Sequence, residues 1–190
     1  MKIFLPKWPS SHGWIWVVAV AVAYALTWLF NDLIASGMDV VEDRISLLFL
    51  PAFIRVAAIM IAGLAGWLGL FLGSLAIGLV WLGDPPELAL LHSTATTLSV
   101  GLAVVLVAGW LGKRSGCLNS INMKAMLLTA GLAALFNASF HGLAWESQQL
   151  HFTEALFWMM IAGDLGGVAL GYLLLRFGVR TWRARALPPA

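Results

Sequence analysis

The sequence predicts an all-α fold, a polytopic integral membrane bundle of six transmembrane helices with both termini cytoplasmic. Three observations carry that reading. Of 190 residues, 61% are hydrophobic and only 11% charged, with a mean hydropathy of +0.91. Soluble globular chains hold about 25% charged residues, so a surface this apolar would stay uncovered in water. The apolar residues also gather into stretches of about 20, the length at which a helix rising 1.5 Å per residue crosses the hydrocarbon layer. Finally, the few remaining charges segregate by sign along the chain.

Taken in order, the first span is Trp14 to about Phe30. The run from Ile45 to Leu82 is too long for one helix and is punctuated by Gly63, Gly66 and Gly69. It reads as two helices, about 45–62 and 64–82, joined by a tight turn. A fourth span covers 88–111, a fifth 123–145 and a sixth 152–177. These spans make residues 1–190 a single transmembrane domain with no room for a soluble output or catalytic module.

The charges test this division independently. Lys2 and Lys7 precede span one, Lys113, Arg114 and Lys124 lie around the fourth connection, and Arg176, Arg180, Arg183 and Arg185 follow or end span six. With six spans these regions share one side and hold nine of the eleven basic residues. The other side receives Asp32, Asp39, Glu42, Asp43, Asp84, Glu87, Glu146 and Glu154, eight of the nine acids, with Arg44. Lys and Arg mark the cytoplasmic side, so the expected location is a bacterial inner membrane crossed many times. Lys2, Lys7 and the Ala23-Tyr24-Ala25 triplet mimic a signal peptide, but the apolar run is read as a retained first span. The net charge of +2 offers no basic stripe for nucleic acid. A single cysteine, Cys117, excludes an internal disulfide framework and multi-cysteine metal sites.

Two ionisable residues remain deep in the apolar layer, Arg55 in the second span and Asp164 in the sixth. Both spans enter from the outer face, and both residues sit about ten residues down, at about 15 Å depth. An isolated charge there costs at least ~2.5–3.5 kcal/mol, so such charges pair or face a wet cavity. Equal depth and opposite sign predict an Arg55–Asp164 pair. Two readings of it stay open: an interhelix clamp, or the charged floor of a ligand site or protonation switch.

A second polar level lies nearer the outer surface. His92, Thr96 and Ser99 share one face of the fourth span, and Asn137 and His141 one face of the fifth. Polar stripes in lipid must face protein or water, which predicts an outward-open vestibule above the charge pair. The histidines admit three roles: interhelical hydrogen bonding, proton or ligand sensing, or metal binding with His151 or Glu146 from the adjoining loop. No metal-ligand spacing such as HExxH is present, and neither a metal nor a cofactor is assigned. His12 reads as solvated in the cytoplasmic lead-in.

Other features read as packing. Gly69-x-x-x-Gly73, Ser74-x-x-x-Gly78, Gly163-x-x-x-Gly167 and Gly167-x-x-x-Gly171 place small residues on one helix face, where backbones approach closely. Pro51, one turn before Arg55, loosens the helical ladder and predicts a kinked or re-entrant start to span two. Residues 31–44 mix polar and apolar side chains, as expected of a short lid at the outer interface. No GxSxG, P-loop or nucleophile with an evident base occurs, so the chain is not read as an enzyme.

The segment Leu50-Pro51-Ala52-Phe53-Ile54-Arg55-Val56-Ala57-Ala58, then Gly63, then Trp67-Leu68-Gly69-Leu70-Phe71-Leu72-Gly73-Ser74, resembles the signature of MASE1-type bacterial membrane sensor domains. Residues 157–167, with Gly163-Asp164-Leu165-Gly166-Gly167, are similar to the terminal helix of that family and its G-D-x-x-G element. The resemblance covers about 45–177. Leu50 stands where the family has Trp, Phe53 and Ile54 replace its glycine region, and Arg55 falls outside the pattern. The family also has about eight spans ahead of a kinase, cyclase or phosphodiesterase domain. The resemblance implies a stand-alone sensory or partner-binding membrane module acting through a separate protein.

Three functions therefore stand at the level of sequence. One is a non-enzymatic sensor or interaction subunit that binds a small ligand or a partner protein around Arg55, Asp164, His92, His141, Asn137 and Thr96. The second is the substrate-binding subunit of an energy-coupling uptake transporter, to which the Ala19–Ala23 small-residue stripe is similar. The third is a structural subunit of a larger membrane complex.

Overall fold

The computed structural model describes residues 13–35, 37, 39–41, 45–111, 123–148 and 151–186. It is an almost wholly helical bundle. In chain order come α1 (Gly13–Ala35), a two-stranded antiparallel hairpin of β1 (Asp39–Val41) and β2 (Ile45–Ser46), α2 (Pro51–Ala76), α3 (Pro86–Trp110), α4 (Met123–Ser147) and α5 (Glu154–Ala186). A wide helical turn, Ile77–Trp81, prolongs α2. Among the described residues, five helices are long and apolar enough to cross a membrane.

Side-chain placement is that of a protein solvated by lipid. On α1, Val18, Val22, Leu26 and Phe30 recur every four residues and are half or more exposed, while Val17, Val20, Tyr24, Trp28, Asn31 and Ala35 form the buried stripe. Both faces are largely apolar, so no hydrophobic drive separates them; close packing and polar contacts decide which faces inward. The core gathers Val56, Ile59, Met60 and Leu70 of α2 with Val100, Val104 and Val107 of α3, Met126 and Ala130 of α4, and Val168 of α5.

The helix expected from Ile45 begins only at Pro51. Proline lacks the N–H that would bond the carbonyl four residues back, and its ring clashes with that carbonyl, so helix cannot run through it undisturbed. Residues 45–50 instead run as non-helical chain along α5. The carbonyls of Ser46 and Phe49 lie where a Cβ on Gly163 or Gly167 would stand, and Phe53 fills the space over Gly171. The glycine series on α5 thus receives a non-helical backbone, not another helix. Its polar groups are satisfied locally: Phe49 N–H donates to Gly163 O (3.0 Å) and Leu50 N–H to the Asn31 side-chain oxygen (2.8 Å). Non-helical chain at membrane depth is tolerated only with such partners.

Of the run Ile45–Leu82, read as two helices about 45–62 and 64–82, the part Pro51–Ala76 is helical but for one residue, Gly63 (φ 55°, ψ −124°). That combination is open essentially to glycine alone. Eight residues apart on a straight helix, Ala58 and Gly66 would be about 12 Å distant; instead Gly66 lies against the Ala58 carbonyl, so the chain doubles back at Gly63. After the reversal, Gly69 packs on Val17 and Val20 and Gly73 on Ala21 and Tyr24, so this half of α2 runs parallel to α1.

Two further ends differ from expectation. α5 continues past 177 to Ala186, because Arg is a good helix former and a helix does not stop where lipid does. The expected lid at 31–44 is partly helix, up to Ala35, followed by the β1–β2 hairpin. The connection around Lys113–Asn122, with Cys117, lies outside the described residues, as do His12 and the first lysines.

Gly167→Val should lower stability by about 1–3 kcal/mol or more through collision with the Phe49 backbone, and Gly63→Ala by about 1–3 kcal/mol through strain. Gly109→Ala, which meets nothing within 4 Å, should be close to neutral. Thermal unfolding of the three variants in detergent reads these differences.

Candidate functional site

Arg55 stands one turn after Pro51 on α2, and Asp164 ten residues into α5, about 15 Å down the helix. Each is 4% exposed. Arg55 Nη2 donates to Asp164 Oδ1, closing a buried ion pair. The second carboxylate oxygen accepts from Asn137 Nδ2 of α4 at 3.0 Å. One carboxylate thus ties three helices together. The guanidinium carbon also lies 5.2 Å from the centroid of Phe49, a cation–π contact supplied by the non-helical segment.

The second polar level forms one turn farther out. Thr96 Oγ1 and His141 Nε2 are 3.2 Å apart, joining α3 to α4. The rings of His141 and His92 meet edge to face with centroids 4.9 Å apart. Other hydroxyls on α3 turn back on their own helix: Ser93 donates to Ala89 O (2.6 Å), Thr97 to Ser93 O (2.8 Å) and Ser99 to Thr96 O (2.8 Å). Ser99, which the helical period grouped with His92 and Thr96, therefore has a local partner and does not line the main cavity.

Arg55, Asp164, His92, His141, Asn137 and Thr96 all line one cavity of about 80 Å³. That volume holds roughly half a dozen water-sized groups. The rest of its wall mixes aromatic rings, Tyr24 and Trp28 of α1, Phe49, Trp145 of α4 and Phe152, with aliphatic side chains such as Ile77 and Leu82 and the polar Ser46, Ser74 and Asp84. Trp145 and Phe152 meet edge to face at 5.6 Å. Below the ion pair a smaller cavity of about 10 Å³ is lined by Arg55, Ser99, Asp164 and apolar residues including Ala130 and Val168. Beyond it, Val104, Val107 and Met126 are packed and buried.

Several wall residues were not found from sequence. Asp84 counted as an outer flanking acid, yet it is 6% exposed and lines the cavity. The wide turn at Ile77–Trp81 and Gly83 (φ 63°) bring it inward, where its N–H donates to Gly78 O at 2.9 Å. The Gly83-Asp84-Pro85-Pro86 turn signal was present but gives no direction. Tyr24 and Trp28 were legible only as a four-residue spacing on α1, and Phe49 not at all, because it depends on the non-helical path after Ser46.

The metal alternative is not assembled. His151 and Glu146 are exposed, and Glu146 accepts the Phe152 N–H at 3.2 Å. Among the described residues no group of three or more His, Cys, Asp or Glu could hold a metal ion.

No protein-family profile, curated protein or solved structure matches the chain.

Removing one partner of a buried pair leaves an uncompensated charge, so Asp164→Asn should cost about 3–5 kcal/mol. The double substitution Arg55→Leu with Asp164→Leu should recover most of that loss. Unfolding midpoints and folded yield in detergent measure both, and unchanged stability of Asp164→Asn would remove the constraint.

Proposed function

We propose that the chain is a non-enzymatic membrane sensory or interaction module. It takes a small ligand from the outer face into the cavity above Arg55–Asp164 and signals through a separate protein. The observation that carries this reading is the convergence of six polar or ionisable side chains from four helices on one cavity. Apolar packing below the pair suits a binding pocket better than a route of passage. The resemblance to MASE1-type sensor domains agrees with such a role.

In this reading the chain crosses the membrane six times, the reversal at Gly63 marking the inner end of a short second span. The basic residues then put both termini in the cytoplasm, and the membrane is the inner membrane of a bacterium. α5 links the ion pair to the cytoplasmic side: Asp164 sits in its outer half, and Arg176 and Arg180 lie three and four turns on. A ligand that loosens or tightens the Asp164 contacts has a rigid rod through which to act on a partner.

Native purification followed by identification of co-purifying chains tests the role. A kinase, cyclase or phosphodiesterase supports it, whereas a membrane scaffold with ATPases replaces it with uptake, and a large metabolic complex with a structural role. For topology, single cysteines are placed in a Cys117→Ser background. Gln148→Cys should react with an impermeant maleimide in intact cells, and Lys7→Cys and Ala190→Cys only after permeabilisation.

A further inference from the structure

α5 carries two surfaces in succession. In its first half Gly163, Asp164, Gly167, Val168 and Gly171 form a buried stripe at helical spacing. The glycines of that stripe receive Ser46, Phe49 and Phe53. There the stripe stops. Every residue of 173–180 is exposed, and a Cβ on Gly178 would meet nothing within 4 Å. The helix nonetheless runs on to Ala186. This stretch of α5 is both greasy and cationic. Leu173, Leu174 and Phe177 are 58%, 58% and 69% exposed. Arg176 and Arg180 stand among them one turn apart, and among the described residues neither takes a carboxylate partner. Arg183 and Arg185 follow in the same helix, and residues 165–190 contain no acid. Arg176 lies 22 residues after Glu154. That is about 33 Å along the helix, the far boundary of a hydrocarbon layer about 30 Å thick. Trp182, 68% exposed, adds a ring of the kind that rests at headgroup level.

We propose that this end of α5 is a binding site for an anionic phospholipid, its acyl chains lying along Leu173 and Leu174 and its phosphate held by Arg176 and Arg180. Guanidinium groups match phosphate oxygens in pairs, and a juxtamembrane arginine cluster is drawn to an anionic leaflet. A second copy of the chain fits the surface less well. Of the nine acids, Asp164 is held by Arg55, and in the six-span reading the other eight lie on the opposite side. A copy lying parallel in the same membrane therefore brings no carboxylate to these arginines. A lipid brings the apolar and the anionic part together, in the order in which α5 presents their counterparts. The site is independent of the cavity above Arg55–Asp164.

The test is native mass spectrometry of the delipidated full chain in a neutral detergent. It is titrated with phosphatidylglycerol, with phosphatidylcholine of the same acyl chains, and with inorganic phosphate. Phosphatidylglycerol should bind about ten-fold more tightly than phosphatidylcholine or better, and inorganic phosphate at equal concentration should not displace it. An arginine near an anionic surface gains about five-fold in affinity, so Arg176→Gln with Arg180→Gln should weaken phosphatidylglycerol by about thirty-fold. Both positions are exposed, so the melting temperature of this double variant without lipid should match that of the unaltered chain. Arg176→Lys with Arg180→Lys keeps the charge and should keep most of the binding. Equal affinity for the two lipids overturns the anionic class. Displacement by inorganic phosphate overturns the lipid as the source of the phosphate, and an unchanged affinity in the glutamine pair overturns the site. A co-purifying acidic protein that is lost from the glutamine pair, while lipid binding stays the same, gives the surface to a protein and overturns the proposal.

Discussion

A carboxylate and a guanidinium held in hydrocarbon have to find partners, and Asp164 meets that demand for three helices at once. Its two oxygens take Arg55 from α2 and Asn137 from α4. An unpaired charge at this depth costs at least ~2.5–3.5 kcal/mol, more than any single apolar contact in the bundle contributes. Helix packing in lipid lacks a hydrophobic drive, so this one cluster goes far toward setting which faces of α2, α4 and α5 turn inward. The glycine face of α5 follows from it, because Gly163 and Gly167 flank Asp164 and so turn toward the chain that leads into Arg55.

The non-helical segment is the second consequence. Between Ser46 and Leu50 the chain descends beside α5 with its carbonyls against glycine, where any side chain would collide. Asn31 and Gly163 supply the bonds that the missing helix would have made. A single non-helical chain takes less room beside its neighbours than a helix with its side chains, which is about 10 Å across. Replacing the outer turns of a helix by such a chain leaves room, and the cavity lies in that room, with Ile45, Ser46 and Phe49 in its wall. The opening and the charge pair beneath it are thus products of the same local break at Pro51.

The contents of the cavity divide by height. Arg55, Asp164 and Asn137 sit at its floor and the imidazoles and Thr96 a turn above, while Asp84 stands apart from the floor, beside Gly78 and the start of α3. The floor is also the joint of the bundle, so whatever binds there acts on the contacts that hold α2, α4 and α5 together. That coupling of site and scaffold is the feature on which the proposed sensory role draws.

Composition and helical period by themselves determined the solvent, the helical class, the equal depth of Arg55 and Asp164, and the polar stripes of His92 with Thr96 and Asn137 with His141. These are local or one-dimensional properties: transfer cost per residue, 3.6 residues per turn, and charge against position. Only the tertiary structure decided that the chain before Pro51 lies non-helical against α5, that Gly163 and Gly167 accept a backbone, that Asp84 turns inward, and that Ser99 is satisfied by its own helix. Each of those turns on which atoms fill the space beside a residue. In a chain apolar on nearly every face, pattern does not report that; close packing between distant segments does.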